Sequence, residues 1–221
     1  MSVPMSSLLV LRALGALLSY PSAEIREALP EIAQVVTDTT LLRPADREGI
    51  LALIAMLRGS DPMEAEERYV DLFDYSRATS LHLFEHFHGD ARDRGQAMVE
   101  LKRIYENGGF DLSPRELPDY LPVLLEYLSC RDLAEARDML GECADILRRI
   151  GEALAQRRSP YVAVLQALLS IAGAALVDIA AASRKRPEAE DPDRHWAEQP
   201  AFAERAGPGG VPPYAPDGRV R

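Results

Sequence analysis

Four side chains able to bind a metal or carry a proton, His82, Glu85, His86 and His88, crowd into seven residues. His82 and His86 are four apart, a spacing that places two imidazoles on one helix face where they could share a cation. The order differs from H-E-x-x-H, because the acid here directly precedes the second histidine, and neither cysteine supplies a paired ligand. The competing reading is a polar loop whose histidines serve its own hydrogen bonds, and it outweighs the first. No metal and no cofactor of the chain's own is expected.

A second group of candidates is acidic and aromatic. Glu116-Leu117-Pro118-Asp119-Tyr120 precedes Pro122, and the two prolines stiffen a turn on which Glu116 and Asp119 would be displayed. Tyr69, Leu72 and Phe73 share one face of a helix, which is core in most proteins but can floor a groove for an amphipathic peptide. A rigid acidic turn beside such a groove suits a peptide carrying both basic and apolar residues. Glu66-Glu67 reads as a solvated helix face. There is no G-x-x-x-x-G-K-[ST] loop, no G-x-S-x-G elbow and no Cys/His signature, so binding rather than catalysis is expected.

The elements that must position these residues are helical nearly throughout, with no alternating strand pattern. The 3.6-residue period predicts helices from about Ser6 to Leu18, from Ser22 to about Thr37, from Pro44 through Leu57, and from Asp61-Pro62 through Phe73. Residues 75–89 are irregular, after which Asp90 caps a helix stopped by Asn107-Gly108-Gly109. Pro118 and Pro122 should keep 113–122 out of a regular helix and feed one through Leu128. Helices near 132–140 and 142–157 are expected to be punctuated by Gly141. Ser159-Pro160 then opens a single alanine-rich helix over Tyr161–Ala182, read as buried rather than membrane-spanning.

This gives two parts, an all-helical domain at 1–183 and a Pro/Gly-rich tail at 184–221 that is expected to be disordered. The tail holds the only tryptophan, Trp196, either in an apolar patch that folds back or in a short linear binding motif. It carries seven basic and seven acidic residues, so the whole net charge of −10 lies on 1–183. That acidity favours basic partners and argues against nucleic acid and acidic membrane surfaces. The apolar Leu8–Leu18 run has no preceding positive charge, is interrupted by Arg12 and lacks a cleavage site, so it is not read as a signal peptide. Cys130 and Cys143 are expected as reduced thiols, both able to face the core, in a cytoplasmic protein.

The run Ser80-Leu81-His82-Leu83-Phe84-Glu85-His86-Phe87-His88-Gly89-Asp90, continuing through Met98, resembles the signature of the NarJ-type chaperones. These are the delta subunits of respiratory nitrate reductase, within the TorD-like redox-enzyme maturation proteins. Leu17-Leu18-Ser19-Tyr20-Pro21, Tyr69-Val70-Asp71-Leu72-Phe73, Leu117-Pro118-Asp119-Tyr120-Leu121-Pro122 and Ser159-Pro160-Tyr161 extend the likeness over most of the chain. The resemblance implies a single TorD-like domain of about nine helices. It also implies a client, the apo catalytic (alpha) subunit of nitrate reductase, bound notably at its N-terminal segment. The client would be held competent for molybdenum-cofactor insertion before membrane docking. Tyr20, Tyr69, Leu72 and Phe73 would then belong to a peptide groove, and Glu116, Pro118 and Asp119 match the wider family's E-x-P-D-H motif. Tyr120 stands where that motif has histidine, and Leu83-Phe84-Glu85 replaces a proline-rich stretch. The same likeness leaves open a stable structural subunit of a molybdoenzyme complex.

Overall fold

The computed structural model describes residues 8–86, 91–113 and 116–185. Ten α-helices account for most of them: α1 Leu9–Leu18, α2 Ala23–Asp38, α3 Pro44–Gly59, α4 Pro62–Phe73, α5 Ala91–Asn107, α6 Leu121–Ser129, α7 Leu133–Glu142, α8 Ala144–Gln156, α9 Val162–Ala172 and α10 Ile179–Ala182. Two 3-10 turns, Arg77–Thr79 and Leu83–His86, lie between α4 and α5. Among the described residues the β pairing is one isolated antiparallel bridge, His82 with Tyr120. The fold is all-helical, as the periodicity predicts.

Local chemistry sets the helix ends. Ser22 Oγ accepts from the Ile25 amide, Asp61 from Met63 and Glu64, and Asp132 from Glu135, each answering amides that the helix itself leaves unpaired. Pro44 and Pro62 occupy first-turn positions, where no N–H is needed. Arginines close two carboxyl ends: Arg26 donates to the Leu57 and Ser60 carbonyls, and Arg47 to those of Val36 and Thr39. The core runs along α1 and α9, the most apolar helices. Gly15 lets α1 approach α6 closely, since a Cβ there would lie 3.1 Å from the Pro122 carbonyl oxygen. α9 packs against α3, α7 and α8 through Val164, Leu165 and Leu168.

Several boundaries differ from the sequence expectation. Tyr161–Ala182 is not one helix. Gly173 takes a left-handed conformation at φ 71°, which ends α9, and residues 174–178 run on without helix before α10. Gln166 holds that connection at both edges, donating to the Val177 carbonyl and accepting from its amide. No helix among the described residues is long and apolar enough to cross a membrane. Gly141 lies inside α7 and the break falls at Cys143, because a glycine interrupts a helix only weakly unless it takes positive φ. Pro122 sits within the first turn of α6 rather than ahead of it, where its missing N–H costs nothing. Cys130 is exposed rather than core-facing, while Cys143 is half-buried and burial pushes its thiol up to about 11. Ser6, Asp90, His88 and Trp196, with nearly all of the 184–221 tail, lie outside the described residues.

Candidate functional site

The 116–120 turn and the 80–86 segment are joined across the β bridge. The Leu83 amide donates to the Asp119 carbonyl and the Leu121 amide to that of Leu81, at 3.0 and 2.9 Å. Asp119 is fully buried and spends both carboxylate oxygens here, Oδ2 accepting from the Phe84 amide at 3.1 Å and Oδ1 facing His82 Nδ1 at 3.3 Å. The acid is therefore not displayed on the turn. With two donors converging on it, it is an internal tie, because a buried carboxylate without such donors would be severely destabilising. Pro118 is buried beside it and its carbonyl accepts from Tyr105 Oη at 2.8 Å. Glu116 is exposed, as expected.

The histidines serve the same loop. His82 stacks on Tyr120 with ring centroids 5.1 Å apart, and its hydrogen bond to Asp119 raises its pKa above the ordinary value against the opposing pull of burial. His86 Nε2 donates to the Ser80 carbonyl at 2.9 Å, while burial lowers its pKa. Arg77 donates twice to the Glu85 carbonyl. Both rings thus have partners within the protein, and among the described residues no group of three His, Cys, Asp or Glu is placed to hold a metal.

The tyrosines form a second network. Tyr69 Oη donates to the Leu18 carbonyl at 2.8 Å and lies 3.1 Å from Tyr120 Oη. Its ring meets Tyr20 edge-on at 5.7 Å and Phe73 at 4.8 Å, and Phe73 continues edge-on to Tyr161. Burial drives the Tyr69 phenol far up from its ordinary pKa, so it acts as a neutral donor. Tyr69, Leu72, Phe73 and Leu83 all belong to the core, with the Leu72 carbonyl receiving the Thr79 hydroxyl. Phe84, Glu85 and Tyr120 are half-buried, and Tyr20 is exposed, donating to Glu66 Oε2 at 2.9 Å.

The sequence-selected residues thus come together, but most face inward. Two hollows open to solvent here, one at Tyr120 and one at Tyr20. One hollow of about 210 Å³ is bounded by Ser19, Ile25, Glu116, Tyr120 and the Arg12–Glu126 ion pair. Another of about 390 Å³ is bounded by Tyr20 and by Met63, Glu66, Glu67, Val70, Asp71 and Tyr75. Of this second set the sequence reading selected only Tyr20. The signal available for the rest was the three- and four-residue spacing of 63, 66, 67, 70 and 71.

With this geometry in view, relatives can be placed beside it. The nitrate reductase delta subunit family matches residues 21–167. The chain belongs to that family. It is 39% identical over 188 residues to the nitrate reductase molybdenum cofactor assembly chaperone NarJ of Escherichia coli K12, covering 83% of this chain and 80% of that one. A second protein of that strain, named a probable nitrate reductase molybdenum cofactor assembly chaperone, NarW, is 35% identical over 196 residues, 86% of this chain and 81% of its own. The Bacillus subtilis protein given the same description under the name NarJ is 31% identical over 158 residues, 72% and 85% of the two chains. These delta-family relatives are named as assembly chaperones rather than as catalysts. The matched span includes the Asp119 tie, Tyr69, Phe73, Tyr120 and Tyr161 of the tyrosine network, and the whole of α4, while Leu18 and Tyr20 lie just before it.

Proposed function

We propose that this delta-family chain is a system-specific chaperone for the catalytic subunit of respiratory nitrate reductase. It works in the cytoplasm, holding the apo-subunit competent for molybdenum-cofactor insertion before the enzyme docks at the membrane. The likeness to NarJ over 188 residues carries this reading. The geometry supports it: the helical body presents two hollows, one at Tyr120 and one at Tyr20, and its histidines and buried acid are occupied in holding the loops beside Tyr120. Contact with the client includes the client's N-terminal segment, with Phe84, Glu85, Glu116 and Tyr120 at the accessible rim of the sequence-selected set.

Release follows if filling the cofactor site changes which client conformations are accessible, since a ligand shifts an equilibrium only through differential affinity. Calorimetric titration of the chain with purified apo and cofactor-loaded catalytic subunit tests this. Tighter binding to the apo form is the expected result, and equal affinity for the two would refute the release step.

A further inference from the structure

The acidity of the body is not uniform. Arg77 opens the 3-10 turn that follows α4, Arg149 lies in α8 and Arg157 caps its C-terminal end, and α8 packs on that turn. Arg157 Nη2 donates to Ser76 Oγ at 2.7 Å, which fastens it to the residue next to Arg77. Arg77 in turn spends Nε and Nη2 on the Glu85 carbonyl, at 3.2 and 2.9 Å. Both acceptors are neutral, so the two guanidiniums are held in place without their charge being cancelled. Arg149 is exposed. Among the described residues none of these three arginines has an ion-pair partner: Glu85 faces Arg94 at 4.0 Å, and Glu152, one turn after Arg149, makes no pair with it.

A cation at a helix C-terminus is favoured by the helix dipole, which accounts for Arg157 alone. Arg149 sits well inside α8 and Arg77 lies outside it altogether. Holding like charges together costs repulsion that neutral acceptors do not offset. His86 senses that field. Burial is the first cause of its lowered pKa, and Arg77 and Arg149 add to it against the Ser80 carbonyl and Glu85. One half-buried imidazole is thus near both arginines, which ties Arg149 to the turn.

Such a field calls for an anion, and its chemistry can be narrowed. Guanidinium forks match phosphate oxygens two at a time, and Arg77 and Arg157 each keep N–H groups beyond the bonds just named. Eight residues separate Arg149 from Arg157, ~12 Å along the helix axis, a span served better by two linked phosphates than by one. A protein partner would need an apolar centre, and among the described residues Tyr75 is the one exposed large apolar side chain beside Ser76 and Arg77. We propose that the arginines around the Arg77–Thr79 turn bind a small molecule through a diphosphate group. Arg77 and Arg149 take its phosphate oxygens, and Arg157, fixed through Ser76, closes the side. The site does not depend on which client the chain serves.

The test is titration of the full chain with inorganic pyrophosphate and with ADP, followed by calorimetry and by the proton NMR signal of His86. Pyrophosphate is expected to bind and to raise the His86 midpoint, since an anion beside the ring offsets the two arginines. Arg77→Gln with Arg149→Gln should weaken binding about tenfold or more, and the charge-matched Lys102→Gln with Arg103→Gln on α5 should leave it within about twofold. Should the first pair unfold the chain, Arg149→Gln alone, at an exposed position, is expected to cost about threefold at an unchanged thermal midpoint. ADP that binds as pyrophosphate does assigns the site to the bare diphosphate, and ADP that binds more tightly assigns it to a nucleotide; either result supports the site. Pyrophosphate that leaves His86 unmoved, or that binds both double variants alike, would overturn it. So would an oligoglutamate peptide, or vesicles of anionic phospholipid, that occupy the patch while pyrophosphate does not.

Discussion

In the 116–120 turn, Asp119 is fully buried with both oxygens engaged by His82 and the Phe84 amide, whereas along α4 Glu67 and Asp71 face solvent with no ion-pair partner among the described residues. The two segments are similarly acidic and lie on either side of the Tyr20–Tyr69–Tyr120 cluster. The first uses its acid to lock two loops together; the second leaves its acids available to something else. The contrast separates residues whose loss should damage the fold from residues whose loss should damage only binding.

The largest effect expected from that contrast is at Asp119. Asp119→Ala strips the Phe84 amide and His82 of their acceptor in a buried site and should destabilise the protein by about 3 kcal/mol in urea unfolding. Asp119→Asn keeps one carbonyl oxygen for the Phe84 amide and should lose roughly half of that. If Asp119→Ala instead unfolds at the wild-type midpoint and loses only peptide affinity, the acid belongs with α4 and the contrast collapses. Phe73→Ala falls in the same class: it opens a cavity between Tyr69 and Tyr161 at a cost of about 3–5 kcal/mol. A combined Asp119/Phe73 variant would therefore report on folding, not on a binding groove.

Smaller effects sharpen the boundary. Tyr69→Phe removes the donor to the Leu18 carbonyl and the partner of Tyr120 while keeping the ring, a loss of about 1–2 kcal/mol. The Glu67→Gln, Asp71→Asn pair should sit within about 0.5 kcal/mol of wild type, as unpaired surface charges do. Thermal or urea midpoints measured on the two variants side by side check both figures. A clear stability loss in the α4 pair would show those carboxylates to be tied into the body after all.

How far the sequence carried this picture follows from the range of the interactions involved. Helix starts such as Asp61-Pro62 and Ser22 were legible because a cap and its amides lie within three residues. The Asn107-Gly108-Gly109 stop was legible for the same reason, and Gly109 does take positive φ. The inward turn of Asp119 was not, since its partners His82 and Phe84 lie 37 and 35 residues away and no local pattern encodes that approach. Gly173 was passed over because it sits in an apolar run whose composition alone favours a continuous helix. The outward face of α4 was discounted because charged pairs on helices are solvated by default. Only the placement of Met63, Tyr75 and Tyr20 around them gives the acids an apolar floor.

The smallest effect concerns the two histidines that frame the loop, and it has opposite signs at the two rings. His82 has a raised pKa in the folded state, so its pairing with Asp119 contributes stability that is fully present below the ordinary imidazole value near 6.5 and is lost as pH rises through the folded value. His86 is held below that value by burial, so its contribution is present above 6.5 and is lost as pH falls through its own folded pKa. Proton NMR titration of the imidazole resonances should place His82 above and His86 below the free-histidine midpoint. In His82→Gln the stability near pH 6 should fall more than that near pH 8, and in His86→Gln the loss should be larger on the alkaline side. Two rings four residues apart with inverted titration order would show that the Asp119 tie governs one side of the loop and burial against Ser80 the other. Identical midpoints would remove the His82–Asp119 pairing from the loop, and the inward half of the contrast would then rest on the Phe84 amide alone.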